Sequence, residues 1–332
     1  MRVLITAGWL GGAGGAERLL YSVLQALEDD DVDLVVRHEL GGPWAVTPPR
    51  TTVVPISNWR WRGATNTVRY KDRIARHLVN PIRRQLVPRY DLHLGFRHGG
   101  DLASASRARL RLYLPCGNEL EGLPRGYDRV ALESPDNERL VPEGCPTVLL
   151  PPPLQAISDV VEPVTSAPAD FFLTVFNPYS PIKGMEDLAS AADTAPLPIV
   201  WCHSNQTLKS VPDPHLASHP NIIHVDDPSL AQLRFLYETC RAYLSFSRSE
   251  GFGWAAADGL QHSSSVVSRP IGVLSFPQSQ QEEGVHIVGE TWQIDWSILM
   301  ASAGSPVPRD LTWLSPVEFR SMLGDLVAER LG

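Results

Sequence analysis

Tyr243-Leu-Ser-Phe-Ser-Arg-Ser-Glu250-Gly-Phe-Gly253-Trp-Ala-Ala-Ala-Asp258-Gly-Leu260 is the stretch on which the fold turns. It reads as a buried strand, a short polar loop ending in a carboxylate, a Gly-Phe-Gly turn and then a helix. Glycines let backbone approach a ligand closely, and the first turn of a helix presents N–H groups that favour an anion such as a diphosphate. A carboxylate at that mouth repels phosphate, so Glu250 suits neutral hydroxyls better. Asp258 falls about a turn and a half into the helix, within an apolar run where an acid needs a polar partner, and ribose hydroxyls would serve. The plainer alternative is a tight strand-to-helix turn with a capped surface acid at position 258.

Outward from this stretch the alternation continues. Towards the N-terminus, Phe171 to Phe176 reads as a strand, Gly184 to Ala192 as a helix, and Ile199 to Cys202 and Ile222 to Val225 as strands. Asp227-Pro228 reads as an N-cap with proline in the first turn, opening a helix to about Thr239. Ala242 to Phe246, the helix Gly253 to His262 and the strand Ser265 to Ser268 complete a second parallel sheet. Further upstream, Arg2 to Thr6 is a strand, Gly8 to Gly15 a loop, Ala16 to Leu27 a helix and Val32 to Val36 a strand, which is how a parallel α/β sheet opens. Strands are expected at Thr52 to Pro55, Leu92 to Phe96, Leu110 to Leu114, Arg129 to Leu132 and Val148 to Leu150. Pro151, Pro152, Pro153, Pro163 and Pro168 crowd a stretch with neither period, so 151–169 reads as a linker between domains 1–150 and 170–314. Ser315-Pro316-Val317-Glu318 has the form of a capping box with proline at the first helical position, and 315–332 reads as a closing helix over Pro316 to Leu331.

Composition narrows the function. A chain of 332 residues that is 43% hydrophobic can bury two cores, and it contains no apolar run long enough to span a membrane. With no basic n-region and cleavage site at Met1 to Leu10, the expected location is cytoplasmic. Cys116, Cys145, Cys202 and Cys240 are too far apart for a CxxC pair, so neither a disulfide framework nor a metal site is expected. The formal charge of -8 argues against nucleic acid as a partner. One segment runs the other way: between Ile56 and Tyr90 nine basic residues face the single acid Asp72, a local charge of about +8. Ile74, Leu78, Ile82 and Leu86 recur beside it at helical spacing, interrupted by Pro81. Residues 56–90 therefore read either as a peripheral contact with an anionic membrane or as a solvated face.

Ser247 to Gly253, as Ser-x-x-Glu-Gly-Phe-Gly, with a second acid eight residues after the first, resembles the family 4 retaining glycosyltransferases of the GT-B fold. The second acid is Asp258 where that family usually has glutamate, and Ser263-Ser264-Ser265-Val-Val stands where it usually has Gly-x-Pro-Val-Val. Phe172-Leu-Thr-Val-Phe-Asn177-Pro-Tyr-Ser-Pro-Ile-Lys183-Gly184 resembles the family's Lys-Gly element, with asparagine at 177 where arginine is frequent. His219-Pro-Asn221 also follows the family order, and the likeness covers roughly residues 171 to 273 well and the N-terminal half weakly. Gly14-Gly15-Ala16-Glu17 is similar to the family's first glycine loop, whereas a dinucleotide fingerprint fails because Glu17 takes the third glycine position counted from Gly12. Arg37 and His38 end the second strand where a dehydrogenase would place an acid.

The resemblance implies an α/β chain of GT-B type, with two Rossmann-like domains facing across a cleft. It implies a hexosyltransferase-type, metal-independent enzyme that moves a sugar from a nucleotide diphosphate donor to an acceptor hydroxyl with retention. The nucleotide sugar is a substrate, so no cofactor is expected, and the acceptor is a small molecule or a lipid-linked glycan at the inner membrane face. Lys183 and Glu250 take the catalytic roles. Gly14, Gly15, Lys183, Gly184, Glu250, Gly251, Phe252, Gly253 and Asp258 contact the donor, and His93 or His98 lies on the acceptor side. A plain turn at Gly14-Gly15 and a core histidine at 93 are the structural alternatives. A sugar-nucleotide epimerase and a catalytically silent sugar-nucleotide-binding subunit remain open beside the transferase.

Overall fold

The computed structural model describes residues 1–12, 14–55, 88–96, 106–117, 119–178, 181–203, 216, 218–289, 294–301 and 305–330. His98 and positions 56–87 of the basic segment lie outside them. The chain divides into two compact units: Met1–Glu133 with Asn137–Leu154 and Leu314–Gly332, and Ser134–Asp136 with Gln155–Trp313.

The first unit is built on a parallel sheet of seven strands. These are β1 (Arg2–Gly11), β2 (Asp31–Gly41), β3 (Thr51–Pro55), β4 (Arg89–Phe96), β5 (Arg107–Leu114), β6 (Arg129–Leu132) and β7 (Thr147–Leu149), in the order β3-β2-β1-β4-β5-β6-β7. Val3, Leu4, Ile5, Thr6 and Ala7 of the central strand are all buried, the continuous run expected of a parallel strand covered on both faces. Helix α1 (Gly15–Ala26) buries Leu19, Leu20, Val23 and Leu24, and its N-cap is Gly14 in extended conformation, without a side-chain cap. β2 runs past the expected Val36 because its pairing with β1 continues, through a register shift, to Gly11 opposite Gly41.

The second unit repeats the plan with six parallel strands, β8 (Phe172–Val175), β9 (Ile199–His203), β10 (Ile222–Asp226), β11 (Ala242–Ser245), β12 (Val266–Ser268) and β13 (Val285–Ile287), in the order β10-β9-β8-β11-β12-β13. Among the described residues its helices include α2 (Met185–Thr194), α3 (Leu230–Thr239), α4 (Trp254–His262), α5 (Pro277–Gln280) and α6 (Trp296–Ala301). Phe172, Leu188, Trp201, Leu244, Phe246 and Val267 share one buried cluster. The cap of α3 corrects the sequence reading: Ser229, not Asp227, accepts from Gln232 N, and the Gln232 side chain returns the bond. Asp227 instead takes a positive φ of 46°, in the turn between β10 and the helix.

Helix α7 (Pro316–Glu329) belongs to the first unit. Ser315 caps it by accepting from Glu318 N, as the sequence pattern leads one to expect. It packs on α1, and Arg320 pairs with Asp29 at 2.8 Å and with Asp30 at 3.0 Å. Among the described residues no helix is long and apolar enough to cross a membrane. Both sheets are parallel with the strand order of a Rossmann fold, and each reverses direction once, between β1 and β4 and between β8 and β11.

Candidate functional site

In open α/β sheets the crevice outside the strand carboxyl ends, where the order reverses, is the place for a ligand. In the second unit the two loops at that point are the ones after β8 and after β11, and they carry Lys183 and Glu250. Lys183 Nζ donates to Glu250 Oε1 across 2.6 Å, although the residues are 67 apart in sequence. The side chains keep 26% and 19% of their surface, so the pair is held by protein yet open to a ligand.

Local backbone explains why each residue stands there. Lys183 closes a short 3-10 turn, and Gly184 then adopts φ 75° as the N-cap of α2, with no side chain capping the helix. Glu250 is followed by Gly251, the buried Phe252 and Gly253, which takes φ 79° and is the equally uncapped start of α4. The loops are joined at backbone level, since Arg248 N donates to the Ile182 carbonyl at 2.7 Å. Two uncapped helix starts thus flank the Lys183–Glu250 pair, an arrangement suited to an anion with a polar neutral group beside it.

The Phe252 ring is buried and stacks edge-on against Trp254, so what this residue can offer a ligand is its backbone. Asp258, on the next turn of α4, is only 3% exposed, which rules out the surface-acid alternative. Tyr243, to which the sequence reading gave no role, is influenced by both acids. Burial first, and then the charges of Glu250 and Asp258, push the Tyr243 hydroxyl well above the ordinary range, so it stays protonated. The Tyr243 ring packs where a β-carbon on Gly259 would stand.

Ser134 and Asp136 also escaped the sequence reading. Ser134 Oγ lies 2.7 Å from the Gly251 carbonyl oxygen, and Asp136 accepts from Gly272 N at 2.9 Å. Gly272, at φ 55°, sits against the Phe252 carbonyl and the Glu250 β-carbon, so these bonds brace the Gly-Phe-Gly turn from outside. No signal near residue 134 points to this, because the partners are more than a hundred positions away.

The first-unit candidates stand apart from this cluster in the sequence and are described by themselves. Gly14 and Gly15 form the exposed start of α1, with the Glu17 carboxylate folded back over the Gly14 α-carbon. His93 is fully buried in β4, its ring between Thr6 Oγ1 at 3.0 Å and Ser106 Oγ at 3.1 Å. Burial, with Arg111 nearby, pushes its pKa down to about 3, so the ring is neutral and has the geometry of a core histidine. Among the described residues no group of three or more histidine, cysteine or acidic side chains is arranged to hold a metal ion.

Two parallel sheets with Rossmann strand order and a glycine-flanked Lys–Glu pair at one switch point define the chain as α/β of GT-B type. Solved structures of glycosyltransferases share that fold over almost the whole length. AviGT4, a glycosyltransferase involved in avilamycin A biosynthesis, is 13% identical with a TM-score of 0.62, covering 99% of this chain and 98% of its own. HepE (Alr3699) of Anabaena, solved in complex with UDP-glucose, is 12% identical with a TM-score of 0.61, covering 99% and 100%. WaaB, a lipopolysaccharide outer core galactosyltransferase, is 12% identical with a TM-score of 0.59, covering 99% and 100%. No family model and no curated protein matches the sequence.

Proposed function

We propose that the protein is a glycosyltransferase that moves a sugar from a nucleoside diphosphate donor to an acceptor hydroxyl. The observation that carries this is the Lys183–Glu250 pair at 2.6 Å, set between two uncapped helix starts at the switch point of the second unit. The glycosyltransferases that share the fold support it, one of them solved with UDP-glucose.

In this reading the donor diphosphate competes with Glu250 for the Lys183 ammonium, and the start of α4 adds backbone N–H groups. Freed from the lysine, the Glu250 carboxylate turns to the sugar hydroxyls. As the bond from the anomeric carbon to the diphosphate breaks, Lys183 and the helix dipole meet the growing negative charge, and Glu250 steadies positive charge on the sugar. The acceptor oxygen bonds to the anomeric carbon on the face the diphosphate leaves, with retention. Its proton passes to a diphosphate oxygen. Lys183 supplies the cation here, so the reaction runs without a metal, and activity should survive EDTA. The enzyme would work in the cytoplasm on a small-molecule or lipid-linked acceptor.

A thermal-shift screen of UDP-, GDP-, dTDP- and ADP-sugars tests the reading. One donor should raise the melting temperature of wild type by mass action, and Lys183→Ala should lose that shift. Failure of every nucleotide sugar to stabilise the wild-type protein would overturn it.

A further inference from the structure

We propose that Arg269, acting with Asp187, is the positioning residue that sets the distance between Lys183 and Glu250, an inference that rests on reading those two as the donor site. Arg269 directly follows β12 and is 7% exposed. Its Nη1 donates to the Phe246 carbonyl at 2.9 Å and also reaches the Ser247 carbonyl at 3.4 Å, while Nη2 donates to Asp187 Oδ2 at 2.9 Å. Phe246 is the first residue beyond β11, four before Glu250, and Asp187 lies in the first turn of α2, four after Lys183. One guanidinium therefore ties the base of the loop bearing Glu250 to the base of the loop bearing Lys183. Nothing in the covalent chain does so.

Two further contacts make the tie effective. Gly184 lies against the same Phe246 carbonyl, with no room for a β-carbon, so that oxygen is held from both sides. Asp187 Oδ2 also accepts from Arg248 Nε at 3.3 Å, and Arg248 Nη2 reaches Glu186 at 3.2 Å. Two arginines thus face two carboxylates. The cluster is balanced in charge and exerts little net pull on a phosphate, so what it supplies is geometry. Arginine suits this task because its planar fork serves carbonyls and a carboxylate at once, which a lysine ammonium does not.

The experiment compares wild type with Arg269→Lys, Asp187→Asn and the double variant. Amide hydrogen exchange on the free protein is the first measurement. In each variant residues 182–188 and 246–252 should lose protection together while β8 and β11 keep theirs. UDP affinity by calorimetry and release of UDP from UDP-glucose form the second. Because a displacement of about 1 Å in a positioned group costs up to about a hundredfold in rate, turnover should fall about ten- to a hundredfold and UDP affinity by less than about threefold. The double variant should lose less than the product of the two single losses, since the Arg269–Asp187 bond is common to both. Asp187→Asn preserves shape and keeps the test open if Arg269→Lys does not fold. Wild-type protection of both loops in either folded variant would overturn the proposal, and so would losses of affinity and turnover in equal measure. If wild type neither binds UDP nor cleaves UDP-glucose, the fault lies with that donor, and the exchange measurement still decides whether the tie exists.

Discussion

The α-carbon of Gly184 rests so close to the carbonyl oxygen of Phe246 that a β-carbon on it would stand well inside van der Waals contact. Its φ of 75° independently favours glycine. Gly184→Ala should therefore cost about 2–4 kcal/mol of second-unit stability, the sum of a left-handed backbone penalty and overpacking. Urea denaturation of the variant measures this, and a loss below about 0.5 kcal/mol would mean the two loops do not approach as described.

Separate substitutions divide the roles of the ion pair. Lys183→Ala should weaken donor binding by about 1.5–3 kcal/mol, the size of a charge-assisted hydrogen bond, for nucleotide and nucleotide sugar alike. Glu250→Gln should reduce turnover far more than UDP affinity, because the residue faces the sugar in the proposed mechanism. Calorimetry with UDP and with the intact donor separates the two. Equal losses for both ligands in Glu250→Gln would move that residue off the sugar.

His93 makes the first unit sensitive to acid. An unfolded histidine titrates near 6.5 and this one near about 3, so between those values the unfolded chain holds the extra proton. Stability is complete above pH 6.5 and falls as pH drops through 6.5 towards 3, by about 1.4 kcal/mol per pH unit from this group alone. His93→Gln should flatten that slope in denaturation measured between pH 7 and 4. An unchanged slope would assign the acid sensitivity to other groups.

Arg309 has a purely structural task. Its guanidinium donates to the carbonyls of Leu260, Ser263, Ser264 and Glu283, closing the C-terminal end of α4 and the turn that follows. Arg309→Met leaves those carbonyls without their donor and should cost about 2–4 kcal/mol. UDP affinity, measured well below the lowered melting temperature, should stay at the wild-type level, since the site lies at the opposite end of α4.

The basic segment yields a test that needs no structure. If the acceptor is lipid-linked, vesicles of anionic lipid should bind the protein at low salt and release it as salt rises, exposed charges being screened over about 10 Å at 0.1 M. Reversal of Arg73, Arg76, Arg83 and Arg84 to glutamate should abolish the binding and leave donor affinity unchanged. Co-sedimentation in which wild type ignores anionic and neutral vesicles alike would favour a soluble acceptor.

Much of the fold was legible because parallel strands buried on both faces are short apolar runs between glycines and prolines. Phe172 to Val175 and Ala242 to Ser245 announce themselves in this way. Capping was harder: Asp227-Pro228 imitates a helix start, while the reciprocal pair Ser229 and Gln232 follows two residues later and prevails. Of the site, the glycines and the two charged residues could be read because each belongs to a local pattern. Arg269, Ser134 and Tyr243 could not. Their partners are set by strand order and by the packing of separate loops, and an arginine after an apolar strand looks no different from the many other arginines in the chain.

The first unit is discontinuous, with α7 packed on α1 and Arg320 paired to Asp29 and Asp30. On a ribosome, therefore, the entire second unit emerges before the first can be finished, and the face of α1 that receives α7 stays uncovered meanwhile. The α1 face waits longest although it is made earliest, so a chain halted just after Trp313 would present an open apolar surface to chaperones although its second unit is already complete.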